Sequence, residues 1–372
     1  MRVGVIAYEL EGARSGVGRY LDGLLRGAAE IDGSSIEWQL LFKGDPTEEP
    51  LLDLPGVSGL YDRRPSARPI AWEQIRLPRV LRRLELDLLF SPGYSLPIAP
   101  ALPQVVTLHD LSYEHLRHEF RPREGLRRRL LARWAAKKAD RVLVDTHAMA
   151  ADLARTYRVD AAKIGVVPLA VDRRFFSPTA EAGVLHGLGV RPPYLLCLGS
   201  VLPRRRLDLV IRAFADTAPE PTQLVIAGRD RLPESGRLQS WIDASPARDR
   251  IARLDYVPET VITALYAGAD ASIYLSDYEG YGLPPLESLA AGTAALTSPG
   301  MALDDLVPDY PYRVELTPDA VGRGLRRLLD DPKRQATVRS ARDVLRRLTW
   351  KACAERFIDE LGSVLNRGTP RG

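Results

Sequence analysis

Short apolar segments alternate with amphipathic segments along the chain, and this alternation limits the possible folds more than any other feature. Strand-like runs cover 3–8, 86–90, 104–108, 142–144 and 164–167, and apolar residues recur at helical spacing over 18–29 and 126–139. A second series has strands at 194–198, 223–227, 251–254 and 271–275, and helices at 208–215, 261–267 and 286–291. This alternation is typical of a parallel sheet with helices on both faces. The sequence therefore predicts an α/β protein with two doubly wound domains.

A proline-rich stretch marks the predicted boundary between the two series. Pro178, Pro192 and Pro193 fall within 173–193, directly after the apolar phrase at 167–172. Such breaking residues between periodic segments are typical of linkers. We predict an N-terminal domain over 1–172 and a C-terminal domain over 173–350. Apolar residues spaced as on one helix face predict a final helix over 352–366.

Composition is that of an ordinary globular protein. The 372 residues carry a formal net charge of +4, and no apolar run approaches the length that spans a bilayer, which is about 20 residues. The start of the chain, 1–7, reads as a first strand rather than a signal peptide, which predicts a cytoplasmic protein. Cys197 and Cys353 lie in apolar patterns, so we predict two reduced core thiols rather than a disulfide or a metal pair.

Positive charge is concentrated between Arg121 and Arg141, where nine basic residues are opposed only by Glu124 and Asp140. Apolar residues recur at helical spacing inside this run, at Leu126, Leu130, Leu131, Trp134 and Ala135. Such a helix is consistent with peripheral contact at the inner, anionic face of the cell membrane. The alternative is a solvated basic face whose apolar stripe packs into its own domain. We favour the alternative for the apolar stripe and leave both interpretations open for the basic face.

The phrase from Glu279 to Glu287 carries the strongest chemical signal. An apolar strand leads into it, two glycines and two prolines lie between the acids, and a helix of small residues follows. Glycine lets the backbone approach a ligand closely, and proline suits the first turn of a helix. The phrase therefore predicts a strand end, a bare loop and a helix N-terminus, an arrangement that suits a phosphate or sugar hydroxyls.

This phrase resembles the Glu-x7-Glu signature of retaining GT-B glycosyltransferases. More specifically, it is similar to the bacterial mannosyl- and rhamnosyltransferase-like group of family 4 type. The resemblance implies two Rossmann-like domains facing across a cleft, with the last helix returning to the first domain. It implies that Glu279 contacts the donor sugar and Glu287 the ribose of the nucleotide. The same resemblance assigns donor binding to the backbone of four residues: Gly280, Tyr281, Gly282 and Leu283.

A second motif, from Leu198 to Leu207, follows a strand end and carries consecutive arginines. Fixed cations at such a turn stabilise a departing diphosphate. The family usually has Pro-Arg-Lys-Asn here, so the resemblance gives Arg204 and Arg205 the diphosphate, with Arg205 at the usual lysine position. Arginine keeps the charge and adds a bidentate grip, but it differs from lysine in shape and reach.

Two further matches lie in the N-terminal domain. His109 follows the strand at 104–108, and by resemblance it lines the reaction centre, where a neutral imidazole would bind a sugar hydroxyl or assist proton movement. Asp110 either orients that ring or caps the next helix. Gly16 and Gly18, in the phrase Ser15–Tyr20, are assigned to donor binding by resemblance. No glycine follows at position 21, which argues against a dinucleotide site.

These observations together predict a retaining glycosyltransferase that moves a hexose from a nucleoside diphosphate sugar to a glycan or lipid-linked acceptor hydroxyl. A mannose or rhamnose type of sugar is favoured by the resemblance. We expect no metal, because the sequence has no Asp-x-Asp motif and its five histidines form no metal-ligand pattern. We also expect no cofactor and no nucleic-acid partner. The alternatives are a sugar-nucleotide epimerase or phosphorylase of the same architecture, and a basic surface-binding protein with an inactive cleft.

Overall fold

The computed structural model describes residues 1–12, 16–33, 35–46, 49–61, 69–98, 102–178, 182–232, 234 and 236–368. The chain divides into two compact units. The N-terminal unit comprises Met1–Ala170 with Leu348–Gly372, and the C-terminal unit comprises Val171–Arg347. The first of these limits lies two residues before the boundary that the prolines predict.

A parallel sheet forms the centre of the N-terminal unit. Within the described residues its strands are β1 (Arg2–Ile6), β2 (Glu37–Phe42), β3 (Val57–Tyr61), β4 (Leu88–Ser91), β5 (Gln104–Thr107), β6 (Arg141–Val144) and β7 (Ile164–Val166). Their order is β3-β2-β1-β4-β5-β6-β7, and every pair is parallel. The order reverses between β1 and β4, the point where doubly wound sheets bind ligands. The predicted doubly wound α/β class is confirmed for this unit.

Helices surround this sheet: α1 (Gly16–Ala29), α2 (Pro69–Ala71), α3 (Leu77–Leu81), α4 (Ser112–His115), α5 (Pro122–Lys138) and α6 (His147–Tyr157). A π-helical turn, Trp72–Arg76, joins α2 to α3. On α1 the side chains of Tyr20, Leu21, Leu24 and Leu25 are buried, because their spacing places them on one helix face. Amphipathic spacing thus decides which face of the helix meets the sheet.

The C-terminal unit has a second parallel sheet. Its described strands are β8 (Tyr194–Leu198), β9 (Gln223–Ala227), β10 (Ile251–Leu254), β11 (Ala271–Tyr274) and β12 (Ala295–Thr297), in the order β10-β9-β8-β11-β12. Its helices are α7 (Ala182–Gly187), α8 (Leu207–Thr217), α9 (Arg237–Asp243), α10 (Glu259–Gly268), α11 (Leu283–Ala290), α12 (Ala302–Leu306), α13 (Pro318–Asp330) and α14 (Arg334–Leu345). Here the order reverses between β8 and β11. The second predicted doubly wound domain is therefore confirmed.

The last helix, α15 (Trp350–Gly368), returns to the N-terminal unit and packs on α1. A Cβ on Gly23 would lie 2.2 Å from the Trp350 ring, and one on Gly27 would lie 2.2 Å from the Trp350 carbonyl oxygen. Only glycine permits this approach. Farther along α15, the Phe357 ring meets the Phe90 ring with centroids 4.6 Å apart. The helix is therefore part of the core of this unit.

The basic helix α5 differs from the favoured prediction in one respect. Leu126 and Leu130 are 50% and 61% exposed, whereas Ala135 is fully buried. The predicted apolar stripe therefore packs into its own domain only in part, because small alanines rather than leucines take the inner face. Within the described residues, no helix is both long enough and apolar enough to cross a membrane. Cys197 and Cys353 are buried free thiols, as predicted, and burial raises the pKa of each to about 12.

Candidate functional site

Two loops of the C-terminal unit bring three predicted residues together at the carboxyl edge of its sheet. Arg204 and Arg205 follow β8, and Glu279 follows the neighbouring strand β11. Arg205 Nη1 lies 2.5 Å from Glu279 Oε1, and Arg204 Nε lies 3.4 Å from the same oxygen. The three side chains are 15%, 14% and 11% exposed, respectively. Two cations thus share one carboxylate, and the excess positive charge suits an anionic ligand.

An aromatic ring supports this ion cluster. The Arg205 guanidinium carbon lies 4.2 Å from the centroid of the Tyr274 ring, which is cation–π distance. Burial raises the pKa of the Tyr274 phenol far above its ordinary value; Glu279 and Glu287 raise it further, while the two arginines oppose them. Tyr274 therefore stays neutral, and it interacts with both acids of the Glu279–Glu287 phrase.

A strained residue explains how three consecutive arginines take different directions. Pro203–Arg205 form one 3-10 turn, and Arg206 then adopts a left-handed backbone with φ of 48° before α8 begins. That conformation is uncommon for residues other than glycine. The Arg206 guanidinium reaches Asp208 at 3.4 Å and Asp277 at 3.3 Å. Arg206 therefore ties the two loops together and, among its described contacts, does not join Glu279.

The position of Glu279 also depends on Ser276, which the sequence analysis missed. Ser276 Oγ donates to Glu279 Oε1 at 2.9 Å. The backbone of Ser276 is held in turn by Ser298, whose hydroxyl accepts from its N–H at 2.9 Å and donates to its carbonyl at 2.8 Å. Both serines are buried. The sequence feature that could have identified Ser276 is its position directly after an apolar strand.

The loop after Glu279 leads into α11 as the glycines predict. Gly280 and Tyr281 are buried, and Gly282 is the N-cap of the helix with φ of +80°, so glycine is required there. Leu283 is the first helical residue. The Tyr281 carbonyl accepts from Ala302 N at 2.7 Å, which fixes the loop.

Glu287 lies in the second turn of α11, because the helix begins at Leu283. The Tyr266 hydroxyl donates to Glu287 Oε2 at 3.4 Å. Tyr266 is buried, and burial raises the pKa of its phenol far above the ordinary value, with Glu287 adding to the effect. Glu287 is thus half-buried beside two neutral tyrosines, Tyr266 and Tyr274.

In the N-terminal unit, His109 follows β5 at the carboxyl edge of the sheet. Its Nδ1 lies 2.8 Å from Asp145 Oδ2, and its Nε2 lies 3.0 Å from the Pro92 carbonyl oxygen. The Pro92 carbonyl can only accept, so Nε2 carries a proton, and one further proton lies between Nδ1 and Asp145 Oδ2. Burial alone would lower the pKa of His109, but Asp145, Asp110 and the Pro92 carbonyl outweigh it and raise the pKa. The expectation of a neutral imidazole stays a prediction.

The two carboxylates near His109, those of Asp145 and Asp110, have different roles. Asp145 follows β6, is 2% exposed and was missed by the sequence analysis, although a carboxylate directly after a strand was a visible signal. Asp110 Oδ1 accepts from Ser112 N at 3.0 Å and from Ser112 Oγ at 2.7 Å. Of the two alternatives for Asp110, these contacts favour the helix cap. Asp145 is the carboxylate that orients the ring.

The glycine phrase of the N-terminal unit is described in part. Residues 13–15, and with them Arg14 and Ser15, lie outside the described residues. Gly16 begins α1 and Gly18 is buried within it. One turn later the Tyr20 hydroxyl lies 3.3 Å from Thr107 Oγ1, and its ring lies edge-on to His109 with centroids 4.7 Å apart. The start of α1 therefore belongs to the surroundings of His109.

In the described part of the chain, no group of three or more His, Cys, Asp or Glu side chains could hold a metal ion. The expectation that the protein uses no metal or cofactor stays a prediction.

Two sequence families match the chain. Residues 14–175 match the family described as Glycosyltransferase Family 4, and residues 186–344 match the family described as Glycosyl transferases group 1. The second match contains Arg204, Arg205, Glu279 and Glu287, and the first contains His109. Both families consist of glycosyltransferases, so they lend no support to the epimerase alternative.

Curated relatives point the same way. The O-antigen chain mannosyltransferase RfbU of Salmonella typhimurium is 23% identical over 252 residues, which are 67% of this chain and 67% of that protein. A D-inositol 3-phosphate glycosyltransferase of Xylanimonas cellulosilytica is 28% identical over 63% of this chain and 59% of its own length. The MMP alpha-(1->4)-mannosyltransferase of Mycolicibacterium hassiacum is 25% identical over 69% of this chain and 64% of its own length. The chain thus matches about three fifths to two thirds of each relative.

Solved structures share the fold over nearly the full length. Sucrose-phosphate synthase from Thermosynechococcus elongatus superposes with a TM-score of 0.76 at 16% identity, covering 99% of this chain and 100% of that one. HepE from Anabaena, in complex with UDP and glucose, superposes with a TM-score of 0.73 at 17% identity, covering 98% and 100%. At these identities the likeness concerns the fold alone.

Proposed function

This chain belongs to the glycosyltransferases of family 4 and group 1, and from that premise we propose that it is a retaining, metal-independent hexosyltransferase. Its donor is a nucleoside diphosphate sugar, with mannose or a related sugar favoured. Its acceptor is a hydroxyl of a glycan or of a lipid-linked sugar. The mannosyltransferases among the relatives support the choice of sugar.

The observation that carries the proposal is the cluster of Arg204, Arg205 and Glu279 between β8 and β11. Doubly wound sheets bind ligands where the strand order reverses, and this cluster lies at that reversal. In the proposal, the two guanidinium groups bind the diphosphate and stabilise it as it departs. The carboxylate of Glu279 binds hydroxyls of the transferred sugar.

The α11 segment provides the remaining donor contacts in the proposal. Backbone N–H groups of Gly280, Tyr281, Gly282 and Leu283 face the donor at a helix N-terminus, where anions are favoured. Glu287, one helical turn farther on, accepts hydrogen bonds from the ribose hydroxyls. Its contact with the Tyr266 hydroxyl supports this role, because the tyrosine fixes the carboxylate without neutralising it.

His109 is proposed to line the acceptor side of the reaction. Protein groups occupy both of its ring nitrogens, at 2.8 Å and 3.0 Å, so neither nitrogen has a free lone pair with which to take a proton from the acceptor. The retaining chemistry carried over from the family does not need such a base. The bond from the sugar C1 to the leaving phosphate breaks, the acceptor oxygen bonds to C1 on the same face, and the leaving phosphate takes the acceptor proton.

Helix α5 supports an acceptor that is presented at a membrane. The exposed side of the helix carries Leu126 and Leu130 among the exposed cations Arg123, Arg127 and Arg133. Apolar side chains surrounded by cations favour an anionic interface. We expect sedimentation with phosphatidylglycerol vesicles but not with phosphatidylcholine vesicles. Replacing both leucines with glutamate should abolish the sedimentation; equal sedimentation with both lipids would contradict the proposal.

Binding of nucleotides tests the proposed function directly. The protein is heated in the presence of UDP, GDP, dTDP or ADP and of their hexose derivatives, and we expect selective stabilisation by one nucleotide and its sugars. Arg205→Ala should lose most of that stabilisation. Arg212→Ala is the matched control, because Arg212 lies on α8 and its side chain is 68% exposed.

Turnover then separates the finer claims. With the stabilising donor, the product should keep the anomeric configuration of the donor, and addition of EDTA should leave the rate unchanged. Absence of stabilisation by every nucleotide, or equal stabilisation of the Arg205→Ala protein, would refute the proposed function.

A further inference from the structure

A buried acid lies at the reversal point of the N-terminal sheet. Glu73 is 0% exposed and belongs to the π-helical turn Trp72–Arg76. Its hydrogen-bond partners Tyr8 and Ser95 follow β1 and β4, the two strands between which the order reverses. π-helical turns are rare and often occur at functional sites. A carboxylate in this position therefore requires an explanation.

Glu73 and its neighbour Gln74 hold the loop that follows β4. Ser95 Oγ donates to Glu73 Oε2 at 2.7 Å, and Gln74 Nε2 donates to Glu73 Oε1 at 2.8 Å. Gln74 also donates to the Leu96 carbonyl at 2.8 Å and accepts from Ile98 N at 2.9 Å. The segment 95–98 is thus fixed to the π-helical turn through side chains of the Glu73–Gln74 pair.

The other end of the same loop contacts His109. The Pro92 carbonyl, three residues before Ser95, accepts from His109 Nε2 at 3.0 Å. This carbonyl is one of the two groups that hold the His109 ring in place. A short stretch of backbone therefore connects the Glu73 carboxylate to the contact that defines the state of His109.

The charge of Glu73 changes near neutral pH. Burial raises the pKa of Glu73 to about 7, although hydrogen bonds from Ser95, Gln74 and Tyr8 oppose the effect. Tyr8 is the titratable group that faces Glu73, and Glu9 and Tyr94 act on Tyr8 in turn. Among the described residues no cation pairs with the Glu73 carboxylate. When Glu73 takes a proton, one of its oxygens becomes a hydroxyl that donates a hydrogen bond, so its donors lose the stronger, charge-assisted bonds that an ionised carboxylate accepts.

We propose that Glu73 is a positioning residue that controls the placement of His109 through the loop 92–98. Ionised Glu73 holds Ser95, and with it the Pro92 carbonyl, against the His109 ring. Protonation of Glu73 replaces the charge-assisted hydrogen bond from Ser95 with a weaker neutral one and thereby loosens the contact between Pro92 and His109. The importance of this for sugar transfer rests on the proposed function, but the coupling between the two residues does not.

The coupling is measured by nuclear magnetic resonance of the histidine rings in the full-length protein between pH 5.5 and 9. The chain has five histidines, so the spectrum is simple, and His109→Gln assigns the signals of His109. We expect the wild-type His109 signals to show a second inflection near pH 7, the pKa of Glu73. Glu73→Gln should remove that inflection and leave the signals of His115, which is bound to Asp152, unchanged.

Glu360→Gln is the matched control. Glu360 pairs with Arg141 at the amino end of β6, whereas Glu73 and His109 lie at the carboxyl ends of the strands. If Glu73→Gln fails to fold, Ser95→Ala, which removes the loop side of the contact, should weaken the same inflection. A folded Glu73→Gln or Ser95→Ala protein with the wild-type His109 profile would overturn the proposal. Because no nucleotide or acceptor is added, this failure would be distinct from a failure of the proposed function.

Discussion

Replacing Glu279 with glutamine should strengthen the binding of a nucleoside diphosphate while weakening sugar transfer. In the structure, the Glu279 carboxylate contacts both Arg204 and Arg205. A diphosphate has to compete with that carboxylate for the same cations. Glutamine keeps an oxygen that can accept from Ser276 but removes the negative charge, so the two arginines become available.

The size of the effect follows from the contacts. Two unit charges 4 Å apart interact by about 4 kcal/mol at an effective dielectric constant of about 20. The cluster keeps some exposure, with side chains 11% to 15% accessible, and the ligand brings water and ions with it. We therefore discount the gain to about 1–2 kcal/mol, or roughly fivefold to thirtyfold tighter binding of the nucleoside diphosphate. The lost carboxylate contacts to sugar hydroxyls cost about 1.5–3 kcal/mol in the sugar-bound complex.

Calorimetric titration with the diphosphate and with its sugar derivative separates these effects. The Glu279→Gln protein should bind the diphosphate more tightly than wild type and should lose the preference for the sugar derivative. Asp343→Asn is the control, because it removes an acid from an exposed pair with Arg346 in the same unit. Weaker diphosphate binding by the Glu279→Gln protein, or equal changes for both ligands, would refute the competition between carboxylate and diphosphate.

Three further predictions concern single substitutions. Asp145→Asn should lower the pKa of His109, followed by ring resonances. Because the folded-state pKa of His109 is raised, the unfolding free energy of the wild type should exceed that of the Asp145→Asn protein by about 1–3 kcal/mol below pH 6.5. This difference should shrink as pH rises through the pKa of His109; a difference that does not change with pH would contradict the prediction. Arg205→Lys should weaken diphosphate binding roughly fivefold to thirtyfold in the same titration, since lysine keeps the charge but not the planar stacking; unchanged binding would show that charge alone matters. Gly27→Ala should destabilise the protein by about 2–3 kcal/mol and so lower its thermal midpoint. Gly362→Ala is the control: it has open space around it and should stabilise α15 by about 0.5–1 kcal/mol. Equal effects of the two substitutions would contradict the close packing of α15 on α1.

Local patterns predicted the doubly wound fold because each element carries its own periodic signal. The strands of both sheets that border the reversal points are buried apolar runs, so they stood out in the sequence. Strands β2, β3 and β12 were missed. In β3, only partly buried and exposed residues occur, because it lies at the edge of the sheet. An edge strand has fewer apolar positions and therefore a weaker signal.

Site residues were predictable from the sequence when they belong to a short motif. They were not predictable when their role depends on contacts between segments that are far apart in the chain. Arg205 and Glu279 came from separate motifs, but their direct contact depends on the neighbouring positions of β8 and β11. Asp145 and Glu73 were missed because their partners are 36 and 22 positions away in the sequence. The charge of His109 was not predictable from its local motif alone, since it depends on Asp145.

The return of α15 to the N-terminal unit has a consequence for synthesis on the ribosome. Residues 171–347 form a continuous segment, so the C-terminal unit has all of its chain before residue 348 emerges. The N-terminal unit starts first but lacks the helix that covers Gly23, Gly27 and Phe90 until the residues after 350 are made. The unit that is translated first therefore completes its fold last. Until α15 is made, the apolar surface that this helix covers stays exposed, and chaperones bind surfaces of that kind.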